Sequence, residues 1–224
     1  MLITLAIIGI IAAITIPSLV ANHQKTALEA QFAKGYRTIM QMTNLSNSEI
    51  NWIDGLDWKN EYSQEDKINI VKTHFLPYLN VAKVCFEDSV AQGCLKSLDY
   101  KGLNGNNNSL SKYVNTAGVV LADGSTMYFI FWKDCLNTGT RCISITLDTN
   151  GSKKPNVVGY DYHTFNIFPY TNMPYPNQKY SHKDMESGEL VENDTEEIYR
   201  QCSENNAGFS CTTRIILDGF KINY

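Results

Sequence analysis

With 224 residues the chain is long enough for one ordinary domain, and its 43% apolar residues suffice for a buried core, which argues against intrinsic disorder. A formal net charge of −4 and a pI near 5.6 provide no basic field to neutralise phosphates or anionic lipid heads, so no nucleic-acid partner is expected.

The apolar residues are unevenly spread. Met1 to Ala21 carries no charge, and everything after His23 reads as soluble. About 20 uncharged, mostly apolar residues can cross a bilayer core of roughly 30 Å as a helix, so this run is a spanning candidate. A cleaved secretory signal would need a basic leader and a shorter apolar core. Here no Lys or Arg precedes the run, and its end, Ile16-Pro17-Ser18-Leu19-Val20-Ala21-Asn22, flows directly into a helical pattern. In that pattern Ala27, Leu28, Phe32, Tyr36, Ile39 and Met40 recur at spacings of three and four and form one face, with Lys25, Glu29, Lys34 and Arg37 placed opposite. Asn44-Leu45-Ser46-Asn47-Ser48 is the expected stop, because these residues favour caps and turns over helix interiors.

Further along, a helix is expected over Glu65 to Leu76, before Pro77, and a loop over Asn104 to Ser109. Asp123-Gly124 between Val119–Leu121 and Thr126–Phe131 is a strong hairpin signal. Cys142 to Leu147 and His163 to Phe168 read as further strands of an antiparallel meander. Pro169 to Asp194, rich in Pro, Asn, Tyr and charge, reads as a surface excursion. Thr212 to Leu217 is a strand or short helix.

Six cysteines fall as three close couples, Cys85 with Cys94, Cys135 with Cys142, and Cys202 with Cys211. None is a C-x-x-C, so zinc and thioredoxin-like templates fit poorly, and an even count beyond a membrane segment fits an oxidising compartment. Short separation favours local pairing among the many connectivities that six cysteines allow; free buried thiols are the alternative. His23, His74, His163 and His182 are scattered, and no serine stands in a G-x-S-x-G context, so no catalytic triad is signalled and an enzyme is not expected. Glu186, Glu189, Glu192, Asp194, Glu196 and Glu197 read as a solvated acidic face, and Tyr170, Tyr175 and Tyr180 as either packing or a sugar-binding surface.

The run from Leu2 to Leu19, with its Ala6-Ile7-Ile8-Gly9 core and Ile16-Pro17-Ser18-Leu19 ending, resembles the hydrophobic N-terminal helix of type IV pilins and type II secretion pseudopilins. The resemblance covers Met1 to about Ala21. It implies an α+β, pilin-like fold, a long N-terminal helix packed on an antiparallel β-sheet head. Residues 1–21 would be its transmembrane and assembly half, residues 22–45 the amphipathic half, and residues 46–224 the globular head. It also implies polymerisation through Leu2, Ile7, Gly9, Ala12, Ala13 and Pro17. The small residues allow close helix approach, and Pro17 introduces a kink or local melting.

The implied partners are copies of the chain or other pilins in a helical filament, the inner-membrane assembly platform and the lipid bilayer. The implied location is single-pass in a bacterial inner membrane, with the head in the periplasm or an extracellular filament. The alternatives are a minor or tip subunit with a binding head for adhesion or DNA uptake, and an anchored protein that never polymerises. The family's basic leader, its glycine and its Phe-Thr-Leu-Ile-Glu start have no counterpart before Leu2, which reads as a late start or a truncated chain. Asp148-Thr149-Asn150-Gly151, followed by Asp161, offers hard oxygen donors. Together with calcium sites in similar pseudopilins, it makes Asp148, Asn150 and Asp161 candidate calcium ligands; plain turn formation is the alternative.

Overall fold

The apolar run and the amphipathic stretch after it form one helix, α1 (Leu2–Ile50), of 49 residues, which is about 74 Å long at 1.5 Å per residue. The computed structural model describes residues 2–95, 99–109, 117–151 and 153–224, with residues 2–9, 12 and 109 described by backbone alone. The polar cluster Asn44–Ser48 does not stop α1, because tertiary contacts outweigh weak local propensity there. Ser46 is buried and accepts from Trp52 Nε1 at 2.9 Å. The helix ends at Ile50, where Asn51 takes a left-handed φ of 50° and Asn47 Oδ1 caps Trp52 N at 2.9 Å. It also runs unbroken through Pro17, so the local melting expected there is not seen. Hydroxyls flank the proline instead, Thr15 donating to Ile11 O at 2.8 Å and Ser18 to Thr15 O at 2.9 Å.

After the short α2 (Trp52–Gly55), α3 (Gln64–Ile70) starts on a Ser63–Asp66 capping box and continues through a π turn, Val71–Phe75, and a 3₁₀ turn, Leu76–Tyr78. This is the helix expected over Glu65 to Leu76, with its last turns loosened and tightened around Pro77.

The head is a six-stranded antiparallel sheet in the order β1 (Val81–Cys85), β4 (Ala117–Leu121), β5 (Thr126–Phe131), β6 (Ile143–Asp148), β7 (Tyr162–Ile167), β8 (Tyr175–Pro176). The Asp123-Gly124 hairpin forms as expected, with Gly124 at φ 87° and Leu121 N bonded to Ser125 O at 2.8 Å. Two expectations change. Asn107–Ser109 of the expected loop forms β3 against β2 (Asp99–Lys101), and the Pro169–Asp194 excursion supplies β8 and a hairpin of β9 (Tyr180–Lys183) with β10 (Leu190–Glu192). Three helices complete the head, α4 (Cys135–Thr138), α5 (Thr195–Gln201) and α6 (Cys211–Leu217), the last settling the choice of strand or helix at Thr212–Leu217.

Period-two alternation gives the sheet two unlike faces. Val119, Met127, Phe129, Ile145, Leu147 and Phe165 are buried on the face that α1 covers with Leu28, Phe32, Ile39 and Met42. Contact is closest at Gly35, where a Cβ would lie 2.3 Å from Leu147 Cδ2. Glu29 does not join the solvent face expected for it. It is buried, with Lys221 Nζ at 2.8 Å and Ile222 N donating at 3.0 Å, so it fastens the C-terminal tail to α1. Those two donors outweigh the desolvation that pushes its pKa up, and hold the carboxyl below its ordinary value.

All three local disulfides form, Cys85–Cys94, Cys135–Cys142 and Cys202–Cys211, and every sulfur is buried. The free-thiol alternative is thereby overturned.

Candidate functional site

Two surfaces carry the chemistry. The first is the N-terminal half of α1. From Leu28 onward the helix buries residues against the sheet, but residues 10, 11 and 13–26 are all exposed. Ile10 is 62% exposed, Ile14 71% and Leu19 70%, with Ile11, Ile16 and Val20 beside them. Burying six such side chains is worth on the order of 10 kcal/mol, so this surface is strongly driven to find apolar cover. Of the expected assembly residues, Ala13 and Pro17 lie on this exposed half; Leu2, Ile7, Gly9 and Ala12 are described by backbone alone. Among the described residues no helix is long and apolar enough to cross a membrane.

The second surface is the other face of the sheet. The register sets Thr126, Asp148 and Tyr162 side by side across β5, β6 and β7. Tyr100 of β2 packs over them with Leu95, its ring against that of Tyr162 with centroids 4.3 Å apart. Tyr100 Oη donates to Asp148 Oδ2 at 2.7 Å and lies 3.3 Å from Tyr128 Oη, which is 3.3 Å from Thr126 Oγ1. Burial pushes the Asp148 carboxyl up to about 8; the bond from Tyr100 opposes this, and the charge of Asp161 adds to it.

The three candidate calcium ligands are brought together, but as a hydrogen-bonded loop. Asn150 N donates to Asp148 Oδ1 at 3.2 Å and its Nδ2 to Asp161 Oδ2 at 3.1 Å. Asp161 also accepts from Asn156 N and Val157 N, both at 2.7 Å. Burial raises the Asp161 carboxyl, against the pull of those N–H groups. Asn150 Oδ1 and Thr149 Oγ1 are buried without a hydrogen-bond partner. The arrangement does not fit a resident calcium ion. Three N–H groups already aim their positive ends at Asp161, where a cation would have to sit. Among the described residues no three His, Cys, Asp or Glu side chains converge on a metal position either. Asp161 instead ties Asn150 to Asn156 and Val157.

The acidic residues from Glu186 to Glu197 sit apart from both surfaces, on and around β10 and α5, and Asp194 caps α5 by accepting from Glu196 N at 3.2 Å. Tyr175 packs edge-on to Tyr180 at 4.8 Å, while Tyr170 is half exposed beside Trp58. Sequence spacing found Asp148, Asn150 and Asp161 but missed Thr126, Tyr128 and Tyr100. Period-two alternation about the hairpin signals that Thr126 and Tyr128 share a face; no local signal brings Tyr100 to them.

The chain is an α+β protein with a long N-terminal helix on a six-stranded antiparallel sheet. Neither a family model nor a curated protein nor a solved structure matches it.

Proposed function

We propose that the chain is a structural subunit of a type IV pilus or type II secretion pseudopilus that polymerises through α1. The observation that carries this is the division of one unbroken helix. Its C-terminal half is part of the head's core, while residues 10, 11 and 13–21 of its N-terminal half stand uncovered as a mostly apolar rod. A helix built only to complete a head would not extend beyond it with Ile10, Ile11, Ile14, Ile16 and Leu19 exposed. Such a rod is suited first to a lipid bilayer and then to the equivalent rods of neighbouring subunits, where small residues permit close approach. The partners are copies of this chain or related subunits and the inner-membrane assembly platform, and the head faces the periplasm or the filament exterior. Disulfide-closed loops suit that compartment.

The test uses two added cysteines in each chain, at Ile11 and Leu19, so that every subunit can be linked to two neighbours, oxidised in membranes of cells that express the full chain. Ladders of cross-linked oligomers are expected, and Ile14→Lys should abolish them while leaving head unfolding unchanged. Membrane-bound monomer without ladders would identify an anchored protein that never polymerises. Protein wholly in the soluble fraction would refute both.

A further inference from the structure

The face of the sheet turned away from α1 holds a cavity of about 370 Å³, whose described lining includes Asp99, Tyr100, Thr126, Tyr128, Asp148 and Asn156. Each hydroxyl in its wall has one proton. With Asp148 ionised, as an ammonium seated on it holds it, Tyr100 commits its proton to Asp148 Oδ2, which leaves Tyr128 to donate to Tyr100 and Thr126 to Tyr128. The chain of hydroxyls therefore shows its occupant only lone pairs. Asp148 terminates the chain, buried, with no ion-pair partner among the described residues, and Asp161 adds a second buried carboxylate behind it, joined through Asn150. Lys83 extends its ammonium to another lining residue, Gly93, where it would lie 3.3 Å from an added Cβ.

At Asp148, the hydroxyl oxygens, two phenol rings and the buried carboxyl favour a cation that donates hydrogen bonds, and Lys83, whose ammonium stands at Gly93, is not ion-paired with Asp148. Size narrows the class further. The volume lies within the range of organic ligand sites, about 300–1,000 Å³, and a bare metal ion would leave most of it to water. We propose that this cavity binds a small organic amine, with its ammonium seated on Asp148 and on the hydroxyl oxygens of Tyr100 and Tyr128. The site is independent of how α1 assembles.

The full chain in detergent micelles, titrated with 1,4-diaminobutane and with its neutral isostere 1,4-butanediol by saturation-transfer NMR, tests the proposal. The diamine should bind saturably at about 1 mM or tighter, and the diol at least about tenfold more weakly. Asp148→Asn should weaken the diamine by about tenfold or more. Tyr100→Phe, which removes one oxygen and leaves the carboxylate, should have a smaller effect and covers the case in which Asp148→Asn fails to fold. Equal binding of diol and diamine, absence of saturable diamine binding, full affinity in both variants, or competitive displacement by calcium chloride would each overturn the assignment.

Discussion

Burial raises the Asp148 carboxyl from its ordinary 3.8 to about 8, so between those values the folded chain holds a proton that the unfolded chain has released. Stability linked to this group therefore falls as pH rises, by at most about 1.4 kcal/mol per pH unit for one proton. His163 works in the opposite sense. It is buried against Phe32, ring centroids 4.4 Å apart, and burial pushes it down to about 3. Unfolding below its ordinary 6.5 takes up a proton, so its contribution rises with pH from about 3 to 6.5. His74, also lowered by burial, adds to that rise. The opposing slopes offset one another up to about pH 6.5, above which Asp148 dominates. Urea midpoints should therefore decline from about pH 6.5 to 8, and Asp148→Asn, which keeps the neutral shape, should flatten most of the decline; an unaltered slope in the variant would refute this assignment. Asp148 could be picked out from its Asp-x-Asn-Gly setting. Its elevated pKa could not, because it follows from burial in the folded sheet, and the Tyr100 hydroxyl whose bond opposes the rise is 48 residues away in sequence.

At the scale of elements, the decisive contact is α1 crossing β6. A glycine inside a helix costs roughly 1 kcal/mol relative to alanine, yet Gly35 sits mid-helix because Leu147 fills the space where its Cβ would be. Gly35→Val should cost about 2–3 kcal/mol by overpacking a fully buried leucine. Gly35→Ala should cost less, since the gain in helix propensity offsets part of the clash. Urea denaturation measures both, and a valine variant as stable as the parent would show that Leu147 moves aside freely. The amphipathic stripe predicted this helix and its buried face, since Leu28, Phe32 and Ile39 all reach the core. The hairpin was equally visible through Asp123-Gly124. The edge strand β1 was not, because Val81–Cys85 alternates weakly and becomes a strand only by pairing with β4.

At the scale of the whole molecule, the chain joins a disulfide-stapled head to an apolar rod. The staples close short loops, with sequence separations of 9, 7 and 9 residues. Replacing Cys202 and Cys211 together by serine should lower head stability by about 2–3 kcal/mol, as loop-closure entropy predicts for a loop of about ten residues. An unchanged unfolding midpoint would mean that the α5–α6 packing holds that corner without the bond. Glu29 shows a different kind of long-range tie, joining α1 to a tail 192 residues later. By itself the sequence determined the uncharged first segment, the helical stripe after it and the hairpin, and favoured local cysteine pairing, because each rests on residues within a few turns of one another. Only the tertiary structure decided that the sheet's far face would be polar and hollow, that Glu29 would be buried and that Tyr100 would meet Asp148. Those contacts join distant segments, and chain closure and desolvation, neither of which has a local signature, select among the many pairings that the same periodicities allow.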